Sequence, residues 1–193
     1  MRRLILILIL TVSFQTLTKA DDIRDFEIEG MSIGDSLLDY YNKDEIQNFH
    51  TIYYPNSRKF YQVGFAIESN LYDGLNINLK TDDRKYIIYS IKGLKNVDNK
   101  LDECLHQKKN MINQILQMIK DTKEDKFESN FSNIYGKSIS YISEFKLNNG
   151  TFHIACSKWD KENEKIISNG WWDSLNASLG FKEWHDWLNK EAY

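Results

Sequence analysis

The chain has 193 residues, of which 41% are hydrophobic and 27% charged, with 25 Lys and Arg residues against 28 Asp and Glu. This composition indicates a folded protein and not a disordered one. The acidic balance excludes a general attraction for nucleic-acid phosphates or anionic lipid headgroups. No segment after residue 20 is apolar over the length that a membrane span needs.

The first 20 residues have the pattern of a secretory signal peptide. Two arginines precede a mostly apolar run from Leu4 to Phe14, which is shorter than the about 20 residues of a transmembrane helix. Ala20 offers a small residue at the cleavage position. We predict a signal peptide at 1–20, a single domain at 21–193 and a periplasmic or secreted location. The alternatives are an uncleaved anchor and an N-terminal core helix.

The first half of the domain predicts two short helices followed by strands. A capping-box pattern at Ser32 and Asp35 opens the first helix, and another at Asn42 opens the second, which ends near Phe49. Apolar residues then alternate with polar or small ones, which is typical of half-buried strands. Such alternation is found at residues 61–67, 75–79 and 85–91, and Gly93 is predicted to end the third strand.

The second half predicts a long helix, a hairpin, a further strand and a last helix. An apolar stripe at helical spacing, which includes Cys104, predicts a helix over 98–120 capped by Asp98 or Asn99. The segment 121–137 is predicted as a polar loop. Asn-Gly between two alternating runs predicts a hairpin turn at residues 148–150. The strands flanking this turn are predicted at residues 139–147 and 152–156, a further strand at 174–179 and the last helix at 181–188.

These elements indicate an α+β fold in which antiparallel β-hairpins form a sheet packed against one long helix and shorter terminal helices. Cys104 on the helix stripe and Cys156 on a strand both face the core. Two cysteines allow one pairing, and oxidising compartments preserve disulfides. We therefore predict a structural disulfide between them, with two separate buried thiols as the alternative.

The sequence Gly34-Asp35-Ser36-Leu37 resembles the first block of the GDSL esterase and lipase family. The resemblance implies that Ser36 is a catalytic nucleophile. Such chemistry also needs a His oriented by an acid, and donors for the oxyanion. The family supplies these through Asp-x-x-His and Gly-x-Asn-Asp sequences, and neither occurs here. We interpret the match as coincidental, expect no catalytic residue, and keep a Ser36 esterase as the alternative function.

The late tryptophans are the best candidates for a recognition surface. Trp171 and Trp172 are adjacent, so in a strand their side chains would point to opposite faces and one of them would be exposed. Core packing is the alternative, and it is favoured for the two tryptophans of the last helix. The four histidines have no spacing typical of metal ligands, and neither a metal nor a cofactor is expected.

Two stretches, 26–40 and 183–190, resemble small exported proteins of bacteria with AT-rich genomes that have no characterised activity. The resemblance implies a bacterial, periplasmic setting and covers most of the domain. We predict an exported, non-catalytic domain that binds an envelope component. That component is another envelope protein, or a peptide or saccharide ligand, and no nucleic-acid partner is expected. A purely structural envelope protein is a further alternative.

Overall fold

The structure is a computed structural model and describes residues 20–97, 99–119, 123–130 and 135–193. The predicted signal peptide therefore lies outside the described residues, apart from Ala20. The strands are β1 (His50–Tyr53), β2 (Phe60–Ala66), β3 (Gly74–Lys80), β4 (Ser90–Asn96), β5 (Glu124–Asn130), β6 (Ile139–Leu147), β7 (Gly150–Lys158) and β8 (Ser174–Phe181). The helices are α1 (Lys43–Asn48), α2 (Leu101–Met118), α3 (Glu164–Asn169) and α4 (Lys182–Lys190). No described helix has the length and apolar character needed to cross a bilayer.

The eight strands form one antiparallel sheet in the order β1-β2-β3-β4-β8-β7-β6-β5. Each half of the chain contributes a run of four strands, and the last strand of each run, β4 or β8, lies at the centre of the sheet. The predicted hairpin is confirmed: β6 and β7 are joined by Asn148 and Asn149, and Asn149 has a positive φ of 64°. Asn tolerates this left-handed conformation better than most residues do, which favours the tight turn.

One face of the sheet carries the main hydrophobic core. Alternate residues such as Ile77, Ile91 and Ile154 point to this face and are fully buried. Helix α2 packs on β7 and β8, so the prediction of a long helix against the sheet is confirmed for those two strands. The rest of this core face lies against the N-terminal segment 20–41, whose Phe26 ring stacks 5.7 Å from that of Phe152.

That N-terminal segment corrects the first predicted helix. The backbone N–H of Ser32 donates to Asp35 (2.9 Å), as in a capping box, but only a turn forms there. A three-residue 3₁₀ helix begins later, at Leu37, and Ser36 caps it. The backbone N–H groups of Gly34 and Leu37 donate to carbonyls of the segment before β4. These N–H groups therefore bond to the segment that precedes β4 and not to carbonyls within a helix.

Three further predictions are corrected by the sheet. Strand β1 was not predicted, and β5 lies within the segment predicted as a polar loop. The strand predicted at 85–91 overlaps β4 only at its last two residues, and Gly93 does not end it but lies inside β4, where a Cβ would come 2.6 Å from the Tyr72 ring. Lys100 precedes α2 without a side-chain cap, and Asp98 lies outside the described residues. The second predicted helix is confirmed as α1, with the capping box between Asn42 and Glu45.

The opposite face of the sheet is polar at its centre and is covered at one end by α4. Trp187 of this helix is buried, and its ring lies 4.9 Å from the rings of both Phe60 and Tyr54. Its indole N–H donates to the Ser57 hydroxyl (2.8 Å). This confirms core packing for the tryptophans of the last helix, since Trp184 is buried as well. The part of this face that α4 does not cover forms a cleft.

Candidate functional site

The cleft lies on the polar face of the sheet and has a volume of about 480 Å³. The centre of its floor is formed by β2, β3, β4 and β8, and further lining comes from β1, β7, the segments that flank α3 and Tyr193. A volume of this size is within the range typical of small-molecule sites, about 300–1,000 Å³. Both tryptophans that the sequence suggested for recognition, Trp171 and Trp172, line it.

Three of the chain's five tryptophans form the aromatic wall, which we define as Trp159, Trp171 and Trp172. The ring of Trp171 lies 4.7 Å from that of Trp159 and 5.1 Å from that of Tyr135, so its orientation is fixed by packing. Trp172 is 40% exposed. Both residues lie in a loop, so the two opposite faces of a strand do not explain why one ring is exposed.

Local features of the sequence around α3 position the aromatic wall. Helix α3 begins after Asn163, which caps it, and ends at Gly170, whose φ of 63° turns the chain sharply towards Trp171. Asp173 then anchors the loop: its buried carboxylate accepts a hydrogen bond from the Trp159 backbone N–H (2.8 Å). The two segments that carry the tryptophans are thereby held side by side where β7 ends and β8 begins.

The floor of the cleft presents amides and one ammonium group. Gln62, Asn76 and Lys92 are half-buried and line the cleft, and their side chains make no hydrogen bond with the described residues. A Cβ on Gly64 would lie 2.8 Å from the Asn76 Oδ1, so the glycine makes room for that amide. Asn176 donates to the Ser157 hydroxyl (3.3 Å) and completes the polar floor.

The charges around the cleft are unevenly compensated. The Asp73 carboxylate receives the Lys95 ammonium (3.0 Å) and the Asn96 backbone N–H (2.8 Å), and these contacts lower its pKa. Lys92 has no described ion pair, and burial lowers the pKa of its ammonium group. A half-buried ammonium group with no described counter-ion therefore lies at the floor.

Beyond Lys92 the polar face continues into a pair of histidines. His153 on β7 lies 2.6 Å from the Glu144 carboxylate, and burial nevertheless lowers the pKa of this histidine. The His185 ring lies 5.0 Å from the His153 ring, and its buried Nε2 has no described hydrogen-bond partner. Among the described residues no group of three or more His, Cys, Asp or Glu side chains is placed to hold a metal ion.

Ser36 does not line the cleft, and its hydroxyl is bonded to two backbone groups. Its hydroxyl donates to the Lys85 carbonyl (2.6 Å) and accepts from the Leu38 backbone N–H (3.2 Å). Cys104 and Cys156 are both fully buried and form a disulfide between α2 and β7, with 6.0 Å between their Cα atoms. The structure thus brings Trp171 and Trp172 together in one site and separates Ser36 from them.

Sequence reasoning did not identify the floor residues. Gln62, Asn76 and Lys92 occupy the polar positions of alternating strands, where solvent-exposed side chains are normally expected. No local signal distinguishes a cleft floor from an ordinary exposed face. The sequence did contain one indication of the site at Trp159. The spacing between Trp159 and Trp171 fits two segments that flank a short helix, and this would place the two rings near each other.

No protein-family model matches the chain, and no curated protein or solved structure is significantly similar to it.

Proposed function

We propose that the chain is an exported, non-catalytic domain that binds a glycan of the cell envelope in the cleft. The observation that carries this proposal is the aromatic wall beside floor amides that have no described partner. An indole ring presents a large apolar face to the C–H groups of a sugar ring. Side-chain amides both donate and accept hydrogen bonds, as sugar hydroxyls do. The disulfide and the signal-like N-terminus fit an oxidising, extracytoplasmic compartment.

The shape of the site favours a glycan over a peptide. Peptides that bind to sheets commonly add a strand to a free edge and pair with its backbone. The centre of the cleft floor is formed by β2, β3, β4 and β8, whose backbone groups are paired with strands on both sides. The edge strand β1 contributes only His50 and Ile52 to the lining. The centre of the floor therefore offers a ligand side chains, among them the amides of Gln62 and Asn76 beside the aromatic wall.

Binding through the aromatic wall predicts that Trp172→Ala weakens affinity about tenfold, since truncated interface tryptophans commonly cost more than about 1 kcal/mol. The experiment titrates the protein with chitotetraose, a neutral N-acetylated tetrasaccharide, and follows binding by calorimetry. Phe127→Ala is the matched control, because Phe127 is an exposed ring (44%) on β5 that does not line the cleft. Equal loss of affinity in both variants, or none in Trp172→Ala, would contradict the proposed site.

The alternative function, a Ser36 esterase, makes a different prediction. If Ser36 only caps the 3₁₀ helix, Ser36→Ala lowers the free energy of unfolding by about 1 kcal/mol, whereas Ser36→Thr keeps a hydroxyl cap and restores most of it. Hydrolysis of a short-chain nitrophenyl ester is expected to be equal in wild type and both variants. Ester hydrolysis that disappears in Ser36→Ala would instead support the esterase.

A further inference from the structure

A row of polar positions crosses the whole sheet through the cleft. The strand register places one residue of each strand side by side on the polar face, from one edge to the other. In sheet order these are His50, Gly64, Asn76, Lys92, Ser178, His153, Glu144 and Asp125. The first four residues of the row, His50 to Lys92 in sheet order, line the cleft, and the row continues beyond it to the carboxylates at the β5 edge.

The acidic groups of this row and of the cleft are already compensated. Glu144 accepts from His153 (2.6 Å) and lies 3.2 Å from the Lys146 ammonium, and Asp125 lies 3.1 Å from that same ammonium. In the cleft, Asp73 is paired with Lys95 (3.0 Å). Lys92 is therefore an ammonium group flanked by the neutral residues of β3 and β8, with no described carboxylate paired to it.

The surroundings of Lys92 favour an anion in the cleft. A cation that has lost part of its water and has no counter-ion is destabilised, and the lowered pKa of Lys92 reflects that burial. An anion placed against it gains a charge-assisted hydrogen bond, which is about twice as strong as a neutral one. One uncompensated ammonium group beside neutral amides matches a ligand with one carboxylate at this point.

We propose that the cleft is selective for an acidic glycan and that the Lys92 ammonium binds a carboxylate of the sugar, while the aromatic wall stacks on the ring. This inference rests on the proposed function and adds the charge of the ligand to it. The neutral amides of Gln62 and Asn76 then bind hydroxyl or acetamido groups beside the carboxylate. Selectivity and stacking are thus assigned to different residues, which allows them to be tested separately.

The test compares two glycans that share one backbone. Chitotetraose is a neutral chain of N-acetylglucosamine. A peptide-free tetrasaccharide of alternating N-acetylglucosamine and N-acetylmuramic acid has the same backbone and linkage with added lactyl carboxylates. Affinities are measured by calorimetry for wild type, Lys92→Gln, Lys92→Arg and Trp172→Ala, with near-UV circular dichroism to show that each variant is folded.

Wild type is expected to bind the acidic tetrasaccharide at least tenfold more tightly than chitotetraose at low salt, and less so at 0.5 M NaCl. Lys92→Gln is expected to remove that preference by weakening the acidic glycan at least tenfold more than chitotetraose, while Lys92→Arg keeps the preference. Trp172→Ala is expected to weaken both glycans equally. Equal or weaker binding of the acidic glycan by wild type, or equal loss of both glycans in Lys92→Gln, would overturn the charge selectivity alone. Binding of neither glycan by wild type would overturn the proposed function itself.

Discussion

Removal of the disulfide between Cys104 and Cys156 is expected to lower the free energy of unfolding by about 4 kcal/mol. The bond closes a loop of 52 residues, and opening it increases the conformational entropy of the unfolded chain. The variant Cys104→Ala/Cys156→Ala avoids placing a hydroxyl where both side chains are fully buried. Urea denaturation followed by tryptophan fluorescence measures the difference, with five tryptophans as reporters.

The single variants give an internal control for this expectation. Each alone breaks the bond, so Cys104→Ala and Cys156→Ala should each lose most of the stability that the double variant loses, and the effects should not add. A reducing agent should destabilise wild type and leave the double variant unchanged. An equal urea midpoint for wild type with and without reductant would show that the bond does not contribute to stability.

The disulfide was predictable because both cysteines lie on patterns that the main core imposes. Cys104 falls on the apolar stripe of α2, and Cys156 alternates with Ile154 on β7; burial of both on one side of the sheet brings them together. Alternation also predicted the centre of β2, β3, β6 and β7. These elements share one property, which is that one face is buried and the other is not, so the period is visible in the sequence.

The two edge strands, β1 and β5, lack a buried face and were missed. In β5 most residues are exposed on both faces, and its sequence, Glu-Asp-Lys-Phe-Glu-Ser-Asn, has no apolar alternation. Its strand structure follows from pairing with β6 and from its place at the sheet edge, where charged side chains discourage further pairing. Strand β1, at the other edge, is short and mostly exposed as well. Edge position is a tertiary property, and a local window of sequence does not contain it.

The candidate site was predictable only through its tryptophans. Large aromatic residues signal a packing or recognition role by their chemistry alone, so Trp171 and Trp172 could be named. Lys92 could not be named from the sequence, because its environment is set by Asn76 and Ser178 on neighbouring strands and by the absence of a described carboxylate partner. These neighbours are 16 and 86 positions away in the chain. The environment of Lys92 depends on the register of β4 with β3 and β8, and that register is known only once the whole sheet has formed.

The histidine pair beside the cleft should make the fold sensitive to acid. Burial lowers the pKa of His185 to about 4, and the positive charges of His153 and Lys92 act in the same direction, while Glu144 and Asp186 oppose them. The Nε2 of His185 lies 2.7 Å from where a Cβ of Gly180 would be, so the ring packs directly on β8. Protonation would place a charge in this packed position without a described acceptor.

The direction of the pH effect follows from the two pKa values. In the unfolded chain His185 titrates near its ordinary pKa of about 6.5, so between about pH 6.5 and 4 the unfolded state binds more protons than the folded state. The stability contributed by neutral His185 is therefore fully present above pH 6.5 and is lost as the pH falls. Between pH 7 and 4.5 this group alone is expected to remove about 2 kcal/mol.

Comparison of two histidine variants isolates this effect from other titrating groups. His185→Gln cannot be protonated, so its loss of stability between pH 7 and 4.5 should be about 2 kcal/mol smaller than that of wild type. His106→Gln, which alters an exposed histidine of α2, should retain the wild-type loss. Urea denaturation at the two pH values measures both differences. If His185→Gln and His106→Gln lose stability equally, the acid sensitivity does not arise from the buried ring beside the cleft.

Because Lys92 raises the cost of protonating His185, a carboxylate bound to Lys92 should also reduce the acid sensitivity of wild type. The stability of the fold is in this way linked to occupation of the cleft.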